Sequence, residues 1–292
     1  MKKFFLAAFF GIGFAASAQI KGIVKDSLSG APIPYAMIAV ENENIGSSSE
    51  EDGTFSIRTS AQSQNLVFYA LGFERKIVAI AKANEVKLKP SPVQIEEIVV
   101  SDRQGTRQLE IGKSENRVSQ AFDQAPRIDL KYFPNLPEYR KTKYLKQVCI
   151  VTDSKIEDAT FKIHLYSVDE NGYPGKELLE KDFVVSVSKG VMKTKFNLSK
   201  FNLAMPKCGL FVGFEKLMIE KNKVEKTVLD PNTNYPETQI THYPLMLYNR
   251  VSRDFVFVFT NGKWVLKSNP TPEDASSQLK VYEPAITLIL TN

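Results

Sequence analysis

The side chains that could perform chemistry in this chain are few, and they stand far apart in the sequence. The two histidines are His164 and His242, and the two cysteines are Cys149 and Cys208. The sequence contains no zinc-type ligand spacing, no Gly-x-Ser-x-Gly nucleophile motif and no glycine-rich phosphate loop. It therefore predicts no catalytic residue, no metal site and no cofactor.

His164 lies in an alternating segment between Ile163 and Leu165. No second histidine and no acidic cluster accompanies it at a metal-ligand or catalytic spacing, which favours a structural or surface role. Carboxylates can still converge from distant strands of a β-sandwich. A glycosidase-like hydrolase therefore remains the alternative to a non-enzymatic protein.

The cysteines allow two interpretations. In an oxidising compartment, Cys149 and Cys208 could form a disulfide that closes a loop of about 60 residues and stabilises the fold by a few kcal/mol. They could equally be two small buried thiols in neighbouring strands. Sequence alone does not decide between these alternatives.

The most site-like region is a polar and aromatic connection over residues 230–250, followed by the single tryptophan. The candidate ligand-binding residues are Tyr235, His242, Tyr243, Tyr248 and Trp264. Exposed aromatic rings can cover the apolar side of a sugar while amide and charged groups bind its hydroxyls. The alternative is that these aromatic residues belong to the core or to edge strands, since aromatic residues are common in sandwiches.

The N-terminus has the pattern of an export signal over residues 1–18. Lys2 and Lys3 precede an apolar run from Phe4 to Phe14, and Ala16-Ser17-Ala18 forms a small-residue cleavage site. The run is too short to anchor the chain across a bilayer, and no cysteine follows it to accept a lipid. The sequence predicts cleavage before Gln19 and export to the periplasm or the cell surface.

The composition is that of a globular protein, with 43% hydrophobic and 24% charged residues. Its length predicts about two domains. The formal net charge of +5 is spread along the chain without a dense basic block, which argues against a nucleic-acid partner. No segment after the export signal is apolar for long enough to predict a transmembrane helix.

Residues 19–100 consist of short apolar strands separated by glycine and aspartate turns. The marked positions are Gly22-x-Val24-x-Asp26, Gly30-x-Pro32-Ile33-x-Tyr35-Ala36, Gly46, Asp52-Gly53-x-Phe55 and Gly72-Phe73. This pattern resembles the carboxypeptidase regulatory-like domain. The resemblance implies a transthyretin-like Greek-key sandwich, a non-catalytic module that serves in scaffolding or docking.

Residues 101–131 are polar and predict a linker. Residues 132–292 contain nine strand-like segments and two Asn-Gly turns, which predict a jelly-roll-like β-sandwich. The segments Phe161-x-Ile163-His164-Leu165-Tyr166 and Phe211-Val212-Gly213-Phe214-Glu215 resemble the C-terminal half of exported Bacteroidetes proteins that begin with the regulatory-like domain. That resemblance implies an architecture and no activity.

The predicted fold class is therefore all-β. The expected function is that of a non-enzymatic, exported cell-envelope protein that binds or docks onto a glycan or a protein partner. The alternative is an exported hydrolase whose carboxylates converge from separate loops of the C-terminal sandwich.

Overall fold

The computed structural model describes residues 18–59, 64–91, 105–112, 117–119, 125–230, 234–253, 255–268 and 279–292. The fold is all-β, as predicted, and each helix in the described ranges is a 3₁₀ turn of three to five residues. These turns are Ile80–Lys82, Pro137–Lys141, Ser199–Phe201 and Glu220–Asn222. Residues 1–17 of the predicted export signal lie outside the described residues.

The first domain is a sandwich of two small sheets. Its strands are β1 (Ala18–Asp26), β2 (Met37–Val40), β3 (Gly46–Ser48), β4 (Thr54–Thr59), β5 (Asn65–Tyr69), β6 (Lys76–Ala79) and β7 (Glu85–Leu88). One sheet has the order β4-β1-β7 and the other the order β3-β2-β5-β6. The pair β1–β7 is parallel, and the other pairs are antiparallel.

Strict alternation along β4 explains how this domain closes. Phe55 and Ile57 point inward, while Thr54, Ser56 and Arg58 are exposed. The inward rings and branched chains of both sheets form one core, in which Phe55 meets Phe68 edge to face with ring centroids 5.6 Å apart. The predicted two-sheet sandwich is therefore present.

The second domain is a larger sandwich. Its strands are β8 (Gln108–Ile111), β9 (Arg117–Ser119), β10 (Ile128–Phe133), β11 (Tyr144–Ser154), β12 (Ala159–Val168), β13 (Pro174–Glu177), β14 (Phe183–Val187), β15 (Gly190–Asn197), β16 (Leu210–Lys216), β17 (Lys223–Leu229), β18 (Pro236–His242), β19 (Leu245–Arg253), β20 (Phe255–Thr260), β21 (Lys263–Ser268), β22 (Leu279–Pro284) and β23 (Ile286–Thr291).

Two seven-stranded sheets enclose the main core of this domain. We call the sheet β13-β12-β16-β10-β20-β21, with β14 on β12, the docking sheet. The opposite sheet runs β22-β19-β11-β23-β8, with β15 on β11 and β9 on β19. The strands β17 and β18 form a separate hairpin. Side chains from both large sheets meet in one apolar cluster that includes Leu145, Phe161, Phe214 and Leu288.

The segment 101–131, predicted as a linker, contains strands in its described residues. It supplies β8, β9 and the first part of β10, and β10 occupies an interior position in the docking sheet between β16 and β20. Its few apolar residues are sufficient because each of these strands pairs with a longer apolar strand. The predicted long connection over 230–250 likewise contains β18 and most of β19.

The first domain packs on the outer face of the docking sheet. Met37 of β2 and Tyr69 of β5 are directly paired and join an apolar cluster with the second domain. The second-domain members of this cluster are Ile128, Leu130, Tyr166, Val168, Phe211, Phe257, Phe259 and Trp264. Hydrogen bonds add to this contact, since Ser48 N–H donates to Met218 O over 3.2 Å and Met218 N–H donates to Ser48 Oγ over 3.1 Å.

Both cysteines are free thiols in the structure. Cys149 is buried in β11, where burial raises the pKa of its thiol, and Cys208 is exposed in the turn before β16. The structure therefore has no disulfide between Cys149 and Cys208. None of the helices in the described part of the chain has the length and apolar character that crossing a membrane requires.

Candidate functional site

An ionic cluster occupies the outer face of the docking sheet. Along β12, Phe161, Ile163 and Leu165 face the main core, so the alternating positions Lys162, His164 and Tyr166 share the opposite face. This face is covered by the first domain, and Lys162 and His164 are each only 2% exposed. The strand is therefore buried on both sides.

Carboxylates from three other parts of the second domain meet these two cations. His164 donates from Nδ1 to Glu177 Oε2 over 2.9 Å and from Nε2 to Glu215 Oε2 over 2.7 Å. Lys162 Nζ lies 3.0 Å from Asp182 Oδ2 and 3.9 Å from Glu215 Oε2. We call these five residues the ionic cluster.

The pKa values of Lys162, His164 and Glu215 are each shifted towards the charged form. Burial works against a charged imidazole, but the hydrogen bonds to Glu177 and Glu215 outweigh it and raise the pKa of His164 to about 9. Burial likewise opposes the charge on Lys162, and Glu215 and Asp182 overcome it so that its pKa lies above the ordinary value. Lys162 and His164 in turn lower the pKa of Glu215 against the effect of its own burial.

The cluster joins the two domains. Lys162 Nζ donates across the boundary to the backbone oxygen of Tyr35 over 2.7 Å. Gly213, directly opposite His164, leaves space there, since a Cβ on it would lie 3.1 Å from the Cβ of His164. Each cation is paired with a carboxylate, and all members of the cluster except Asp182 are almost fully buried, so the arrangement is suited to holding the domains together.

The sequence carried one usable sign of this cluster, the polar residues Lys162, His164 and Tyr166 at alternate positions of an otherwise apolar strand. Glu177 and Glu215 lie 13 and 51 residues from His164. Their meeting depends on the pairing of β12 with β13 and β16, and strand register is not written in any local motif.

The aromatic candidates of region 230–250 do not form one exposed face. Tyr243 and Tyr248 are each 3% exposed and belong to the main core. The Tyr248 hydroxyl donates to Asp129 Oδ2 over 2.9 Å, and Arg127 pairs with the same carboxylate. Both tyrosines therefore have the core role that the sequence left open as the alternative.

The other two aromatic candidates lie apart from them. Trp264 packs against the interdomain apolar cluster and meets the rings of Tyr166 and Phe259 at centroid distances of 5.1 and 4.9 Å. Tyr235 is 75% exposed, at the loop end of the hairpin formed by β17 and β18. The structure does not bring these residues together with His242.

His242 lines a cleft of about 560 Å³ between the domains, which we call the edge cleft. One wall is formed by β4 with residues of β1 and β3, and the other by the hairpin of β17 and β18, with Met218 and Glu220 between them. Burial first, and then the charges of Lys216 and Lys223, lower the pKa of His242 to about 4, so its ring is neutral at pH 7. Its Nδ1 is buried and has no hydrogen-bond partner among the described residues.

An aromatic pocket of about 370 Å³ opens where β10 and β20 separate. The two strands pair only at Ile128–Phe259 and Asp129–Val258, and beyond those pairs they diverge. The pocket is lined by Leu130, Tyr132, Pro134, Phe211, Arg253, Phe255, Val256, Phe257 and Glu283. Tyr132 and Phe255 are 37% and 38% exposed, so their rings are available to a ligand.

A charged group forms the polar part of this aromatic pocket. Arg253 binds Glu283 through two bonds, from Nε to Oε2 over 2.7 Å and from Nη2 to Oε1 over 2.9 Å. Lys131 Nζ lies 3.2 Å from Glu283 Oε1. Glu283 and Lys131 are almost fully buried, whereas 45% of the Arg253 side chain is exposed. Burial lowers the pKa of Lys131 against the attraction of Glu283. Of the three groups, the Arg253 guanidinium is the one that reaches solvent.

A second chamber of about 270 Å³ adjoins the aromatic pocket and shares Tyr132, Pro134, Arg253 and Glu283 with it. Its remaining polar walls are Lys131, Asn249 and Arg250. Sequence reasoning missed both chambers, because their aromatic residues come from β10, β16 and β20 and look like ordinary strand residues. Only the divergence of β10 from β20 exposes them.

Residues 20–100 match the family model of the CarboxypepD_reg-like domain. This region contains the first sandwich, which is therefore a CarboxypepD_reg-like domain at the N-terminus of a longer chain. A search among curated proteins finds no match to the chain.

Proposed function

We propose that this protein, whose first domain is a CarboxypepD_reg-like module, is a non-enzymatic, exported cell-envelope protein that binds a glycan in the aromatic pocket of its second domain. In this proposal the first domain is a docked support that covers the outer face of the docking sheet. The ionic cluster and the interdomain apolar cluster hold it there.

The observation that carries the proposal is the pairing of exposed rings with an exposed guanidinium in one concave site. Tyr132 and Phe255 offer faces for the apolar side of a sugar ring, and Arg253 offers donors for its hydroxyl or carboxylate oxygens. A volume of about 370 Å³ lies within the range of small-molecule sites. The exposed guanidinium can form charge-assisted hydrogen bonds with sugars that carry a carboxylate.

The hydrolase alternative gains less support from the same pockets. A glycosidase needs two carboxylates on opposite sides of the scissile bond. Glu283 is the one acidic side chain among the described residues that line the aromatic pocket and its neighbouring chamber, and it is held by Arg253 and Lys131. In the edge cleft, Glu50 accepts a bond from Glu220 N–H, and the Glu220 carboxylate pairs with Lys223.

Replacing Phe255 by alanine is expected to weaken glycan binding about tenfold, or about 1.4 kcal/mol, because the ring is a wall of the aromatic pocket. Stability should change little, since the ring is already 38% exposed. The measurement is calorimetric titration with neutral and uronate-containing oligosaccharides, together with thermal unfolding of each variant.

Tyr282 provides the matched control for Phe255. It is 43% exposed but does not line either chamber, so Tyr282→Ala should bind as the unchanged protein does. Equal losses in the two variants would contradict the site assignment. Detectable release of sugar from any of the oligosaccharides would contradict the non-enzymatic function.

Export is part of the same proposal, and we expect the mature chain to start at Gln19. The motivation is the small-residue cleavage site at Ala16 and Ala18. The strand β1 pairs with β4 from its first residues, and Gln19 lies opposite Arg58, so cleavage at this point leaves the ladder from Gln19 onward intact. N-terminal mass analysis of protein from the cell envelope tests this, and an intact Met1 would contradict it.

A further inference from the structure

The free edge of β4 carries backbone groups that are available to bind a further strand. The strand β4 is the outermost strand of the sheet β4-β1-β7. Val24 N–H donates to Gly53 O over 2.9 Å, whereas Ile23 N–H points to the other side and donates to Asn84 O over 3.1 Å. In this alternating ladder, Phe55 and Ile57 bond to β1, and Thr54, Ser56 and Arg58 direct their backbone groups outward.

Two of these outward residues have unused backbone groups. Thr54 N–H is already bonded to Asp52 Oδ1 over 2.9 Å. The N–H groups of Ser56 and Arg58 have no bond within the part of the chain that the structure describes. A row of outward donors and acceptors on an edge strand is a template for a further strand.

The edge cleft lies along this edge. Five consecutive residues of β4, 54–58, line it, and they extend over about 13 Å. The opposite wall is the hairpin, which contributes Lys223, Ile240 and His242 to the lining. The cleft thus leaves about 560 Å³ between two β-structures that could each flank an added strand.

The charges of the edge cleft indicate what the added strand carries. Lys21 and Arg58 line the cleft, are exposed, and have no ion pair within 4.0 Å among the described residues. Lys223, in contrast, is neutralised by Glu220 and Glu225 at 3.1 and 2.8 Å. Glu50 also lines the cleft, and its Oε1 accepts a bond from Glu220 N–H over 2.9 Å. Lys21 lies opposite Ser56 in the ladder, and Arg58 is two residues along β4, so acidic side chains on a strand paired with Ser56 would complement these two cations.

We propose that the β4 edge binds an extended, acidic polypeptide segment by strand addition. The backbone of the segment pairs with Ser56 and Arg58, and its acidic side chains pair with Lys21 and Arg58. This peptide site is separate from the aromatic pocket and does not depend on the proposed glycan function.

The test uses the full protein and two fluorescent seven-residue peptides. In the first, glutamate alternates with valine, and in the second lysine replaces the glutamate. Fluorescence anisotropy should show binding of the glutamate peptide and at least tenfold weaker binding of the lysine peptide. Residue-level hydrogen exchange should show new protection at Ser56 and Arg58, with Phe55 and Ile57 unchanged because they are already bonded to β1.

Matched variants separate the backbone pairing from side-chain effects. Ser56→Pro removes the outward N–H at an edge position that tolerates proline, and it should weaken binding at least tenfold. Both substitutions remove the hydrogen bond that Gln19 Nε2 donates to Ser56 Oγ over 2.9 Å, but Ser56→Ala keeps the backbone N–H. Ser56→Ala should therefore bind the peptide within twofold of the unchanged protein. Arg58→Glu should reverse the preference between the two peptides, because it reverses the side-chain charge while it keeps the backbone N–H.

Three results would overturn the proposal. The first is failure of both peptides to bind, and the second is equal binding to Ser56→Pro and Ser56→Ala. The third is protection that appears away from β4. Should Ser56→Pro fail to fold, hydrogen exchange on the unchanged protein and the Arg58→Glu preference still decide the outcome.

Discussion

Replacing Lys162 by methionine is expected to lower the free energy of unfolding by about 3 to 5 kcal/mol, because it leaves Asp182 without its cation and buried Glu215 with His164 alone. Asp182 and Glu215 both pair with Lys162, and the Tyr35 oxygen of the first domain loses its donor. For a chain of this size the melting midpoint should fall by roughly 6 to 20 °C. Thermal and denaturant unfolding of the variant measure this loss.

Lys25 is the control for Lys162. It forms an ion pair with Glu85 at 2.8 Å, but both side chains are substantially exposed. Lys25→Met should therefore cost at most about 1 kcal/mol. In the Lys162→Met background, Asp182→Asn should cost less than it does in the unchanged protein, since the carboxylate it removes has already lost its partner. Equal effects of Lys162→Met and Lys25→Met would show that the ionic cluster does not stabilise the docked domains.

The two histidines are expected to give the stability a maximum near pH 6.5. The pKa of His164 is about 9 in the folded chain, so its stabilising effect is complete below its unfolded value of about 6.5 and is lost as the pH rises through 9. The loss is about 3 kcal/mol in total, because the folded chain holds a proton that the unfolded chain has released. The alkaline limb of the profile should therefore fall between pH 6.5 and about 8. Above pH 8, burial of Lys216, which lowers its pKa to about 8, acts in the opposite direction and flattens the limb.

His242 produces the acidic limb of the same profile. Its pKa is about 4 in the folded chain, so between pH 6.5 and 4 the unfolded chain takes up a proton that the folded chain does not. Stability should fall by about 3 kcal/mol over this interval as the pH decreases. Desolvation of a buried ring near Lys216 and Lys223 is the physical cause.

Denaturant unfolding at pH 5, 6.5, 8 and 9 separates the two effects. His164→Gln should flatten the alkaline limb and leave the acidic limb in place, and His242→Gln should do the reverse. The slopes are compared and not the absolute stabilities, because either substitution also changes packing. An unaltered alkaline slope in His164→Gln would contradict the raised pKa, and with it the charged state of the ionic cluster.

The docking of the first domain on the second affects both proposed binding sites. The first domain is fixed to the second through buried charges and the interdomain apolar cluster, and this fixes the distance between β4 and the hairpin that walls the edge cleft. The aromatic pocket lies on the same outer face of the docking sheet, where Phe257 contributes both to the pocket and to the interdomain apolar cluster. Weakening the docking should therefore affect peptide binding at the edge cleft more than glycan binding in the aromatic pocket.

The amino-acid sequence by itself determined the fold class and the first domain. Alternation such as Thr54 to Thr59 and turn residues such as Asp52-Gly53 are local signals, because one residue step reverses the face of a side chain and a turn needs particular backbone angles. All nine strand segments predicted in the second domain are present in the structure. Short polar strands such as β9 and β18 were not predicted, because they have no apolar alternation of their own. They are held as strands by pairing with β19 and β17.

Only the tertiary structure decided which residues are available to bind. Tyr243 and Tyr248 looked like candidates for a ligand face but lie in the core, whereas Tyr132 and Phe255 looked like strand residues but face a pocket. Glu177 and Glu215 reach His164 through cross-strand register, and the cover over that cluster comes from a separate domain. Exposure, charge pairing and strand edges are properties of distant segments brought together, so no local stretch of sequence contains them.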